Sequence, residues 1–134
     1  MAAKDMWGDF QVEAIRTPVQ ILREQAAALG PKTRNLVVAE VDTSARARSF
    51  GLDEKAFVHQ LTLVVPSLDD YRYLLLSLSH GIELYPVQVE SFANDVNMDV
   101  ASEEKLNEVL QNVLSAPKTK NIISSLLGQV SIAS

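Results

Sequence analysis

Few side chains in this sequence could exchange protons near neutral pH. There are two histidines, His59 and His80, and no cysteine. His59 lies between Phe57 and Leu61 on the apolar parity of an alternating stretch, where a half-buried cross-strand imidazole accounts for it without a ligand. His80 precedes Gly81 at what reads as a helix end, where an imidazolium would meet the negative end of the helix dipole. Neither HxH nor HExxH spacing occurs, so neither a metal nor another cofactor is expected, and no catalytic residue is assigned.

The paired carboxylates read as helix chemistry. Asp69-Asp70 and Glu103-Glu104 each fall where a first helical turn is expected, and adjacent helical side chains point too far apart to converge on one atom. Glu40 and Asp42, two residues apart, share one face of a strand, with Arg46 and Arg48 further along that face. A solvated charged surface explains the four. They are also self-complementary: a second copy laid antiparallel about Ser44 sets Glu40 against Arg48 and Asp42 against Arg46.

Other signatures are missing. There is no GxSxG elbow, no GxxxxGK[ST] loop and no GxGxxG turn, and Gly30, Gly51, Gly81 and Gly128 stand singly. Aromatic residues are dispersed, and no strand carries two on one face beside Lys or Arg, as an RNA-binding sheet would. The net charge of −5 opposes phosphate contacts. Lys32 with Arg34, and Lys118 with Lys120, form small basic spots beside helix ends.

These residues support three readings in descending order. The first is a non-enzymatic domain that binds a protein partner or a second copy of itself, as in a homodimer, through Glu40, Asp42, Arg46 and Arg48. The second is a small-ligand binder or enzyme with a dispersed site near His59 and Tyr85. The third is a nucleic-acid-linked regulator using Arg46, Arg48 and Lys32 as a local patch; the overall charge disfavours it.

The elements that must position these residues can be read from capping and period. The length of 134 residues, with 47% hydrophobic and 22% charged side chains, suits a single compact domain over 1–134. Met1 to Phe10 lack an apolar leader core and no run is long enough to span a bilayer, so a cytoplasmic protein without membrane contact is expected. Residues 1–16 read as an arm or short helix. Thr17-Pro18 starts a helix that Gly30-Pro31 stops. Alternation from Leu36 to Arg48 and from Ala56 to Val65 predicts an antiparallel hairpin with Gly51 in its loop at positive φ. Loop symmetry sets Val41 opposite Leu63, Ala39 opposite Val65 and Asp42 opposite Thr62.

Ser67 and Asp70 resemble a capping box, so a helix is expected from there to His80-Gly81. A third strand follows from Ile82 to Ser91, placed at an edge or bulge by Pro86. Ser102 caps the next helix. After Pro117 a terminal helix over 118–130 carries Ile122, Ile123, Leu126, Leu127 and Val130, too apolar a stripe to leave in water. The expected fold is α+β in the order α-β-β-α-β-α-α, a small, mostly antiparallel sheet with helices largely on one face.

Overall fold

The computed structural model describes residues 5–9, 16–47 and 55–133. The expected hairpin loop with Gly51, together with Arg48, lies outside the described residues. The class is α+β, and the observed order is α-β-β-β-β-β-α-α.

Helix α1, Pro18–Lys32, begins as expected: the Thr17 hydroxyl accepts from the Gln20 amide at 3.2 Å, and Pro18 occupies the first turn. It runs through Pro31 to Lys32 rather than stopping at Gly30. The chain then reverses through Arg34 and Asn35, both left-handed at φ 56° and 61°. Buried Thr33 secures the turn, donating to the Val37 carbonyl at 2.6 Å and accepting from the Val37 amide at 3.2 Å.

Strands β1 (Val38–Ala47) and β2 (Lys55–Val65) form the expected antiparallel pair. The faces are as read, but the register is shifted by two. Val41 faces Leu61, Ala39 faces Leu63, and Thr62 meets Glu40 instead of Asp42. An even shift leaves every side chain on its expected face, so inside-outside alternation alone cannot detect it.

The expected helix after Ser67 is a strand. Pro66–Leu68 makes one 3-10 turn, Asp69 and Asp70 take left-handed conformations, and β3 runs over Tyr71–His80. The carboxylates therefore serve a tight turn rather than a helix dipole. His80 ends a strand and caps no helix. Thr62 pairs with Leu74 and Leu61 with Leu76, leaving Leu75 as the extra residue of a bulge. Leu75 and Leu76 are both buried in consequence, which widens the apolar stripe to resemble a helix face.

The expected third strand begins later than read. After a cis Tyr85–Pro86 bond, β4 covers only Val87–Ser91, so Pro86 precedes the strand. A hairpin through Asn94 and Asp95 (φ 55°) leads to β5, Val96–Val100, a strand absent from the expected order. The sheet is a simple meander, β1-β2-β3-β4-β5, with β1 and β5 at its edges.

Ser102 caps α2, Glu103–Leu114, accepting from the Lys105 amide at 3.2 Å. Helix α3, Pro117–Ala133, continues past Gly128. All three helices lie on one sheet face. Ile21, Leu22 and Ala26 of α1, Leu106, Val109, Leu110 and Val113 of α2, and Leu126 and Val130 of α3 join Leu61, Leu63, Leu76, Leu78, Val87 and Val89 in one core. The opposite face bears exposed Glu40, Asp42, Arg72, Gln88, Glu90, Asn97 and Asp99. Among the described residues, no helix is long and apolar enough to cross a membrane.

Candidate functional site

A cavity lies where the helices meet the sheet. Ala39, Leu61, Leu63 and Leu75 place three strands along its floor. Residues Gln25, Ala28, Leu29 and Lys32, spaced as one helical face, form the α1 wall. The α2 wall repeats that spacing with Asn107, Leu110, Gln111 and Leu114, and Thr119, Lys120 and Ile123 of α3 close one end. The volume is about 570 Å³, within the range of small-molecule sites.

The groove changes character with depth. Leu61, Leu63 and Leu75 at the sheet are only 1–2% exposed, an apolar seam beneath the helices. Leu29, Leu114 and Ile123 are half-buried on its walls, and Gln25, Lys32, Asn107, Gln111, Ser115 and Lys120 are exposed at the mouth. No acidic side chain occurs among the described lining residues. An apolar seam with a neutral and basic mouth can exclude water from a nonpolar chain while leaving a polar end hydrated.

The reading that placed a site at His59 leads elsewhere. On the same sheet face, outward from Leu61, buried His59 meets buried His80, Nε2 to Nε2 at 2.9 Å. His80 Nδ1 lies 2.7 Å from the Gly81 carbonyl, which can only accept, so that nitrogen carries the proton. His80 Nε2 therefore accepts from His59 Nε2–H, and His59 Nδ1 accepts from the Thr43 hydroxyl at 2.9 Å. Each ring nitrogen in this chain has a hydrogen-bond partner.

Threonine, base and orienting group stand in line, as a nucleophilic site requires, but the base is weak. Burial first, then the neighbouring His80 and the Arg23 guanidinium, lowers the His59 pKa from 6.5 to about 4. Such an imidazole has little capacity to take a hydroxyl proton near neutrality. The array is a structural polar network that ties β1, β2 and β3 together.

Tyr85 has different surroundings. Its buried hydroxyl has no hydrogen-bond partner among the described residues. Burial, then the nearby Glu103 carboxylate, raises its pKa, with Arg16 opposing. Arg16 also pairs with Glu24 at 2.6 Å and reaches Glu103 at 4.0 Å, joining α1 to α2.

Of the candidate interaction residues, Glu40 and Asp42 lie together on the open face. Arg72 of β3 reaches across β2 to Glu40 at 2.9 Å and Asp42 at 3.9 Å, so the acids already have a partner within the chain. Arg46 lies on β1, paired with Ala56 through the backbone, while Arg48 lies outside the described residues. Among the described residues, no cluster of His, Asp or Glu could hold a metal ion. The groove escaped sequence reading because its lining comes from six helices and strands; the only sequence signals were basic spots at Lys32 and Lys120. Comparison with family models, curated proteins and solved structures finds no match to this chain.

Proposed function

We propose that this chain is a non-enzymatic binding domain that takes an apolar ligand into the groove between α1, α2 and α3. The observation supporting this is a cavity of about 570 Å³ with a leucine-lined floor and a polar, non-acidic mouth. The absence of a competent base at His59 argues for binding without chemistry.

A neutral solvatochromic dye such as Nile red tests the reading. Saturable binding with blue-shifted emission is expected. Ala28→Trp, on an exposed position of the α1 wall, should weaken that binding about tenfold or more without lowering the melting temperature. Dye binding that ignores Ala28→Trp would place any apolar site elsewhere.

Self-association is the second reading, and it rests on β1. That strand is a sheet edge extending over Val38–Ala47, and no strand pairs with its outer side among the described residues. A two-fold contact there would give an antiparallel pair, the arrangement the charge pattern suits.

A further inference from the structure

The polarity of the groove mouth narrows the ligand class. The chain has a net charge of −5, with 17 acidic residues against 12 basic ones, yet both charged residues lining the groove, Lys32 and Lys120, are basic. They approach from different helices, Lys32 from the last turn of α1 and Lys120 from the start of α3. Neither has an ion-pair partner among the described residues, as is also true of Arg23, Arg34 and Lys118, which do not line the groove. Of the remaining mouth residues, the Gln25, Asn107 and Gln111 amides can donate hydrogen bonds to an anion, while the Ser115 hydroxyl donates to the Gln111 carbonyl. Below them, Leu29, Leu114 and Ile123 lead toward the apolar seam.

We infer that the groove binds a single-chain anionic amphipath, an alkyl carboxylate, with its head at Lys32 and Lys120 and its tail between α1 and α2. This inference rests on the binding reading above and adds the ligand's charge and shape. A cavity of about 570 Å³ has room for one flexible chain, and cations without internal partners suit a carboxylate. Exposed charge pairs contribute modestly, so the tail supplies most of the affinity and the head provides selectivity.

The experiment displaces Nile red from the full chain with octanoate, decanoate and dodecanoate, each below its micelle concentration, and with the matching alcohols. Affinity should rise about fourfold per added methylene until the groove is filled. Each carboxylate should bind about fivefold tighter than its alcohol, and this preference should shrink at high salt. In Lys32→Gln with Lys120→Gln, both on exposed positions, the carboxylate preference should vanish while alcohol binding persists.

If dye binds the groove but carboxylates and alcohols displace it equally, the anionic inference is overturned and the binding reading stands. The same holds if neither displaces it, and light scattering that then shows a dimer would name a second copy as the occupant. Failure of the dye itself to bind would instead remove the underlying reading. Persistence of the carboxylate preference in the double variant would place the head away from these lysines.

Discussion

His59 and His80 meet Nε2 to Nε2 at 2.9 Å as diagonal neighbours across β2 and β3, since His80 pairs with Phe57 and His59 with Leu78. The sheet therefore holds two imidazoles in a single tautomeric chain running from the Thr43 hydroxyl to the Gly81 carbonyl. Protonating His59 places a proton on Nδ1, which reverses the bond to Thr43 so that the hydroxyl accepts.

That geometry predicts a pH dependence of stability. Burial, with His80 and Arg23 adding to it, lowers the His59 pKa from the ordinary 6.5 to about 4 in the fold. Between these values the unfolded chain binds the extra proton, so stability rises with pH through the window. The contribution is complete above 6.5 and lost as pH falls toward 4, amounting to about 3 kcal/mol. Urea denaturation of the parent and His59→Gln across this range should show a shallower pH slope in the variant. Parallel slopes would mean that His59 is not held neutral.

Thr119 should be the joint between the sheet's far hairpin and the two C-terminal helices. Its hydroxyl, on a residue 1% exposed, donates to the Val113 carbonyl at 2.7 Å and accepts from Asn94 Nδ2 at 3.0 Å. Thr119→Val keeps the shape and removes both bonds. Asn94 and Val113 retain longer contacts at 3.4 Å, so the loss should be about 1–2 kcal/mol. Thr119→Ser should recover most of it. A valine variant as stable as the parent in denaturant would show that the hydroxyl is dispensable.

Local signals carried much of the fold. Thr17 and Ser102 each cap a helix where a hydroxyl and a following apolar stripe announced one. The sequence misleads where one residue breaks a period. The bulge at Leu75 turns two successive leucines inward, and Asp69 and Asp70 mimic a helix start while bending a turn. Strand β5 was legible but short: Val96-Asn97-Met98-Asp99-Val100 alternates strictly, over only five residues. The site was less legible. His59 and His80 meet only once Tyr71–His80 is a strand, and the groove exists only once three helices are laid over that sheet.

Removing α3 should be severe. Leu126 and Val130 are each 6% exposed, and Ile122, Ile123 and Leu127 pack against the same core. Each buried aliphatic side chain contributes roughly 1.5–3 kcal/mol, so the sum rivals a domain's net stability. A chain ending at Ala116 should aggregate or lose its cooperative thermal transition. An unchanged melting temperature would show that α3 is dispensable for stability.

The edge strand β1 provides the last prediction. If two copies pair along it about Ser44, Glu40 approaches Arg48 of the second copy and Asp42 approaches Arg46. Within one chain, however, Arg72 already holds Glu40 at 2.9 Å, with side chains about half exposed on both sides of the pair. An intermolecular contact would have to share or displace that arginine. The net gain per new pair therefore falls to the low end of the 0–1 kcal/mol typical of exposed pairs. Backbone pairing and buried area would supply the affinity, and charge would set only the register. Light scattering should then show that Arg46→Glu with Arg48→Glu weakens a dimer by no more than about fivefold. Adding Arg72→Glu should weaken it further by leaving Glu40 and Asp42 without a cation. A parent that stays monomeric at high concentration removes the edge-pairing reading, and a dimer abolished by the double reversal alone would mean that Arg72 does not hold the acids in solution.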